Sequence, residues 1–175
     1  GRVLIGAGSD SGGGAGIQAD IKTVTALGGY AMTAITALTA QNTTGVHGIH
    51  PVPPAFVARQ MRLCLDDIGA DALKTGMLGD GAVVAAVADE IERLPLSLPV
   101  VVDPVMVAKG GAALLAMAAN AILLTRLVPR ATVLTPNLPE AEVLLGRPIS
   151  DVAAMRAAAM ALLDLGPAAV LLKGG

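Results

Sequence analysis

The chain has 175 residues, 54% of them hydrophobic, enough for one well-buried core and too few for two independent domains, so residues 1–175 are expected to form a single domain. Twelve basic residues against fourteen acidic ones leave a formal charge of −2, and no basic field exists that could neutralise a run of nucleic-acid phosphates. With Tyr30 and Phe56 as the single Tyr and Phe and no Trp, the core must be built from Ala, Val, Leu, Ile and Met, which favours helix-on-sheet packing.

In chain order, Arg2–Ala7 reads as a buried strand that runs into a glycine-rich loop over 8–14 and then a helix over 15–27, stopped by Gly28-Gly29. The apolar start is too short to cross a bilayer or to form a signal-peptide core, so the expectation is a cytoplasmic protein without a membrane partner. A second, Ala-rich strand is predicted over 30–39, with 41–45 as its exit loop and a short strand over 46–51. Pro53-Pro54 sets up a helix over 54–67, because proline is tolerated in a first turn. Cys64, the single cysteine, lies between Leu63 and Leu65 on that helix and reads as a half-buried structural residue of a reducing compartment.

Residues 72–75 read as a strand, 80–94 as a helix ended by Pro95, and Val100–Val102 as a further strand that stops at Asp103-Pro104. A mobile loop is predicted from Val105 to Gly111 and a helix over 112–127. A strand over 132–135 follows, then a helix over 138–145 opened by an Asn137/Glu140 capping box and stopped by Gly146. Ser150 is expected to cap a helix to Leu165, and 168–172 to form the last strand. Alternating apolar strands and amphipathic helices predict an α/β fold of three α/β/α layers on a mostly parallel sheet. The start without Met and the stop right after a strand read as cut ends, with the domain incomplete at its C-terminus.

Several residues carry candidate chemistry. The loop Gly8-Ser9-Asp10-Ser11-Gly12-Gly13-Gly14-Ala15-Gly16 brings backbone amides to a helix start, an arrangement that favours anions, though a plain strand-to-helix turn reads the same way. It is neither a Walker loop nor a dinucleotide fingerprint. Asp20 is expected beside a core stripe of Ile17 and Ile21, where a carboxylate can orient a polar ligand or simply be solvated near Lys22. Gln41 ends an apolar strand and offers an amide that both donates to and accepts from a heteroaromatic ring, or serves a turn.

Asp103 stands at a strand's carboxyl end, where open α/β sheets place their ligands, and suits Mg²⁺ or a cap. Asn137 and Glu140 are either helix caps or, with Asp103, oxygen ligands for Mg²⁺ near nucleotide phosphates. Lys173 can reach a phosphate or sit at the surface. Met77 and Met106 follow loop-like segments, as pocket walls or core filling. His47 and His50 are read as non-ligands.

These motifs match a known family. GGGAGIQADIKT over 12–23, AITALTAQNT over 34–43, KTGML over 74–78, DPVM over 103–106, TPNLPE over 135–140 and LKGG over 172–175 together resemble hydroxymethylpyrimidine/phosphomethylpyrimidine kinase, across essentially the whole chain. The resemblance implies a ribokinase-like fold without a separate lid domain, usually dimeric, using ATP with Mg²⁺. The activity it implies is phosphorylation of 4-amino-5-hydroxymethyl-2-methylpyrimidine and then of its monophosphate, in thiamin synthesis.

Carried over by position, Gln41 holds the aminopyrimidine ring and Asp20 the hydroxymethyl or a polar ring group. Met77 and Val105 form apolar walls. Asp103 and Glu140 organise Mg²⁺, and Asn137 and Lys173 attend the nucleotide. The family's Gly-Thr-Gly-Cys anion hole has no counterpart here, and Cys64 cannot replace it. Catalytic residues are therefore unassigned, and these 175 residues alone are expected to be inactive or severely impaired. Ser9-Asp10-Ser11 differs mildly from the family's usual Thr-Asp-Pro-Ser. The alternatives are a pyridoxal kinase of the same superfamily, and a non-catalytic pyrimidine-binding fragment.

Overall fold

The computed structural model describes residues 1–106 and 117–174. Strands β1 (Arg2–Ala7), β2 (Tyr30–Ile35), β5 (Ala72–Thr75), β6 (Val100–Val102) and β7 (Val133–Leu134) form one sheet in the order β2-β1-β5-β6-β7. Every ladder in it is parallel. Helix α1 (Gly16–Ala26) connects β1 to β2 on one side, whereas α2 (Pro54–Asp67) precedes β5 on the other, so the direction of winding reverses between β1 and β5. Ligand crevices of open α/β sheets lie at such a reversal, outside the carboxyl ends of the strands.

Alternation along β1 divides its side chains between two cores, as the period of two dictates. Leu4 joins Met32, Leu73, Val100 and Leu134 under α2 and α3 (Gly81–Glu92), in a cluster that includes Val57, Met61, Val84, Val87 and Ile91. Ile5 and Ala7 join Ile17 of α1 on the opposite face. The expected stripe of Ile17 and Ile21 is corrected: Ile21 is exposed, and Val24 packs against this second core in its place. Positions 17, 20 and 24 share one helical face, so Asp20 is turned toward the sheet.

The predicted strand over 30–39 is two strands. β2 ends at Ile35 and β3 (Ala37–Asn42) leaves the sheet to pair antiparallel with β4 (Gly45–Pro51) as a separate ribbon, so Gln41 is strand and not exit loop. The break falls at Thr36, whose amide donates to Ala7 O and whose hydroxyl donates to Met77 O at 2.6 Å. These partners are distant in sequence, and the run Ala34-Ile35-Thr36-Ala37 contains no turn residue that would announce them.

Asp80 caps α3 by accepting from the Val83 amide. Helix α4 (Met117–Ile122) passes into a π turn over Leu123–Leu127 and a 3-10 turn over Val128–Arg130. The Lys109-Gly110-Gly111 loop, the first part of the predicted helix over 112–127, and Gly175 lie outside the described residues. Asn137 opens α5 (Leu138–Leu145) with the expected capping box. The cap of α6 (Val152–Leu163) is Asp151 rather than Ser150, its carboxylate accepting from the Ala154 amide. The segment predicted as the last strand makes isolated parallel bridges, Leu134 to Val170 and Asn137 to Lys173. It runs beside a strand of two residues, and two positions beyond that strand's end Pro136 has no amide to continue a ladder. Cys64 is half-buried on α2, as expected.

Candidate active site

The glycine-rich loop binds an anion, and that anion is its own Asp10. The buried carboxylate accepts from the amides of Gly12 (2.8 Å), Gly14 (3.0 Å) and Ala15 (2.8 Å). Burial pushes the Asp10 carboxyl up, and the amides of Gly12, Ala15, Gly14 and Gly13 together outweigh it, leaving it below the ordinary value. Of the two readings, an anion-binding loop and a plain strand-to-helix turn, the amides of Gly12, Gly14 and Ala15 fit the turn, because they serve an internal carboxylate; α1 has no side-chain cap, and its Ile17 amide donates to Gly8 O.

Gln18, one turn into α1, accepts from the Asp10 amide at 2.7 Å, and the Ser9 and Ser11 hydroxyls tie the loop to β3 through Thr39 and Gln41. Gly16 joins the loop to α1 at φ +54°, with the position a Cβ would take lying 2.5 Å from Gly8 O. No side chain fits there.

Lys74 pairs with Ile5 in the sheet register and so faces the α1 side, where its ammonium meets Asp20 Oδ2 at 2.7 Å. Both side chains are about one quarter exposed, at 23% each. The alternative of a solvated Asp20 beside Lys22 is overturned, since Lys22 donates to Gly13 O instead.

A cavity of about 480 Å³ opens between the loop, the β3–β4 ribbon and the ends of β5 and β6. Gln41, Met77, Asp103 and Val105 all line it. Met106 does not; it is buried and fills the core. Asp20 stands behind this lining and touches it through Lys74, while Asn137, Glu140 and Lys173 gather beside Asp103. Val46, Ile49 and the ribbon tip at Asn42–Gly45 complete the far wall. Asn42 Oδ1 holds that tip by accepting from the Thr44 and Gly45 amides, with His47 Nε2 at 3.1 Å from the same oxygen. His47 thus serves the turn.

Lys173 Nζ lies 3.1 and 3.3 Å from the two oxygens of Asp103, bringing the last segment to the end of β6. Glu140 is buried behind them, accepting from the Asn137 amide at 2.9 Å. Its burial raises the Glu140 carboxyl above its ordinary value, with Asp103 adding to the rise and the Asn137 and Met106 amides and Lys173 opposing it. Among the described residues no group of three or more His, Cys, Asp or Glu side chains forms a metal cluster.

Lys74 and Asp10 are the residues whose roles the sequence reading missed. A lysine alternating with Leu73 and Thr75 in a central parallel strand is a signal, because such a strand has no solvent face for it. Asp10, between Ser9 and Ser11, carries no comparable signal in the sequence.

The sequence model of the family described as phosphomethylpyrimidine kinase matches residues 10–175. The chain belongs to the phosphomethylpyrimidine kinase family. It is 57% identical over 175 residues to the thiamine biosynthesis bifunctional protein ThiED of Geobacter sulfurreducens, covering all of this chain and 36% of that protein. It is 53% identical over 174 residues to the hydroxymethylpyrimidine/phosphomethylpyrimidine kinase of Mycobacterium leprae, covering 99% of this chain and 62% of that one. The chain therefore spans less than two thirds of the length of these relatives.

Among solved structures, the phosphomethylpyrimidine kinase of Clostridium difficile superposes with a TM-score of 0.91 at 42% identity, over 99% of this chain and 75% of that one. A pyridoxal kinase of Staphylococcus aureus in complex with pyridoxal follows at 0.88 and 38%, over 99% and 63%. The ribokinase-like α/β fold expected from the resemblance is the fold observed. No helix among the described residues is long and apolar enough to cross a membrane.

Proposed function

We propose that the chain forms the substrate side of an ATP-dependent kinase that phosphorylates 4-amino-5-hydroxymethyl-2-methylpyrimidine and then its monophosphate, in thiamin synthesis. The observation that carries this reading is the convergence of Gln41, Met77, Val105 and Asp103 on one cavity at the carboxyl ends of the strands. Met77 and Val105 sandwich a flat ring, and the Gln41 amide pairs with the donor and acceptor edge of an aminopyrimidine. Asp20 stands behind the lining and holds Lys74, so the proposed direct contacts to the ring are those of Gln41, Met77 and Val105.

Asp103, with a partly exposed carboxylate, is the direct oxygen donor for Mg²⁺, and Glu140 stands behind it with Asn137. This suits a cation that keeps most of its waters and takes one or two carboxylates alongside the nucleotide phosphates. Bound there, the ion would neutralise charge on the transferred phosphoryl group. Lys173, paired with Asp103 at 3.1 Å, would exchange it for a nucleotide phosphate. The protein is proposed to act in the cytoplasm as a homodimer.

The pyridoxal kinase likeness supports a second reading, in which the same cavity takes a hydroxymethylpyridine. Gln41 favours the pyrimidine. The test is ATP-dependent phosphorylation of the hydroxymethylpyrimidine, its monophosphate and pyridoxal, by these 175 residues and by the full-length gene product. Turnover of both pyrimidines above pyridoxal by the longer protein is expected. A longer protein that phosphorylates pyridoxal alone overturns the first reading in favour of the second, and binding of the pyrimidine without ATP consumption favours a non-catalytic pyrimidine-binding protein.

A further inference from the structure

We propose that Lys74 is a specificity-determining residue, the cation with which this cavity recognises the phosphate of a phosphomonoester substrate. The inference rests on the kinase reading above and adds the question of how one site handles a neutral alcohol and a dianionic ester in turn.

Lys74 is the one basic residue among the described residues that line the cavity. The acidic lining residues are already engaged, Asp10 by the loop amides and Asp103 by Lys173. An ammonium carries three donors, and among the described residues Lys74 Nζ has a single hydrogen-bond partner, Asp20. One donor thus anchors the group while the others remain for a ligand. The anchoring carboxylate comes from α1, away from the lining, so it orients the ammonium without filling the cavity.

Gly76 supports the same role. A Cβ on residue 76 would lie 3.1 Å from Lys74 Nζ and 3.0 Å from Ala7 Cβ, so a side chain there would crowd the ammonium where it approaches the cavity. A monoester phosphate brings roughly −1.5 to −2 charge at neutral pH and strong acceptor oxygens, which a desolvated cavity must match with a cation. The hydroxymethyl form makes no such demand, and with it Lys74 stays with Asp20.

The test is calorimetric titration of the full-length gene product, without ATP, by 4-amino-5-hydroxymethyl-2-methylpyrimidine and separately by its monophosphate, on wild type and Lys74→Gln. Loss of a charge-assisted bond predicts roughly 10- to 150-fold weaker binding of the monophosphate in the variant, with the alcohol changed less than about 3-fold. The alcohol reports that the variant is folded. Parallel loss of both ligands by a folded variant, or no change in either, overturns the role of Lys74 and leaves the kinase reading standing. A wild type that binds neither pyrimidine overturns both. If Lys74→Gln unfolds, the wild type is titrated over a range of ionic strength: monophosphate affinity must fall with salt more steeply than alcohol affinity, and equal slopes refute the proposal.

Discussion

Replacing Gly16 by Ala tests whether the loop-to-helix junction sets the site. The residue sits at φ +54°, and a Cβ would lie 2.5 Å from Gly8 O, 3.0 Å from Ser9 C and 3.1 Å from Asp10 N, all backbone atoms that cannot rotate away. The left-handed conformation costs Ala about 1–2 kcal/mol. Displacing Gly8 endangers the bond from the Ile17 amide to Gly8 O, worth about 1 kcal/mol, and the forced shift adds about 1–3 kcal/mol. The sum, about 3–6 kcal/mol, rivals the whole stability of a small domain, about 5–15 kcal/mol.

Gly28 supplies the control. It has φ +74° at the other end of α1 with nothing within 4 Å of its Cβ position, so Gly28→Ala should lose about 1–2 kcal/mol from conformation alone. Urea unfolding followed by far-ultraviolet circular dichroism, with the slope held common, gives both values. If the two variants agree within about 0.5 kcal/mol, the junction is not sterically closed and the reasoning fails.

Asp103→Asn is expected to lower ATP-dependent turnover by at least roughly 100-fold, read in a coupled assay on the full-length gene product; turnover within a few-fold of wild type would remove Asp103 from the metal. Leu134→Ala, in a fully buried position on β7, should destabilise the fold by about 2–5 kcal/mol by urea unfolding. Asp71 is held down to about 2 from its ordinary 3.8 by Arg2, so its contribution to stability is present above that ordinary value and lost as pH falls toward 2. Asp71→Asn should therefore be less stable than wild type near neutral pH, and the gap should close as pH falls from 3.8 toward 2. A gap that does not change with pH would refute the pairing.

Much of the fold was legible because local and tertiary preferences agree. The bounds of β1, α2, β5 and β6 follow the predicted ones, and the Asn137/Glu140 capping box forms as its spacing implies. The failures fall where distant contacts decide. Thr36 breaks an apolar run because Ala7, Met77 and Val52 claim its polar groups. Ser150 and Asp151 are both good caps, and only the chain's path chooses between them. Of the candidate site, motif positions named Gln41, Met77, Val105 and Asp103, which the cavity unites. Lys74 stayed hidden because its significance depends on sheet register with Ile5 and on the face of α1 that carries Asp20.

The Asp10 carboxylate inside the glycine loop changes what a ligand meets on arrival. Holding one residue's backbone in a single conformation costs about 1–2 kcal/mol, and a glycine-rich segment left to itself would pass that debt to whatever binds it. Here the internal carboxylate, Gln18 and the two serine hydroxyls have already settled the loop against β3. An incoming ring finds a finished wall, and its affinity is not discounted by a fraction of molecules still waiting to become competent.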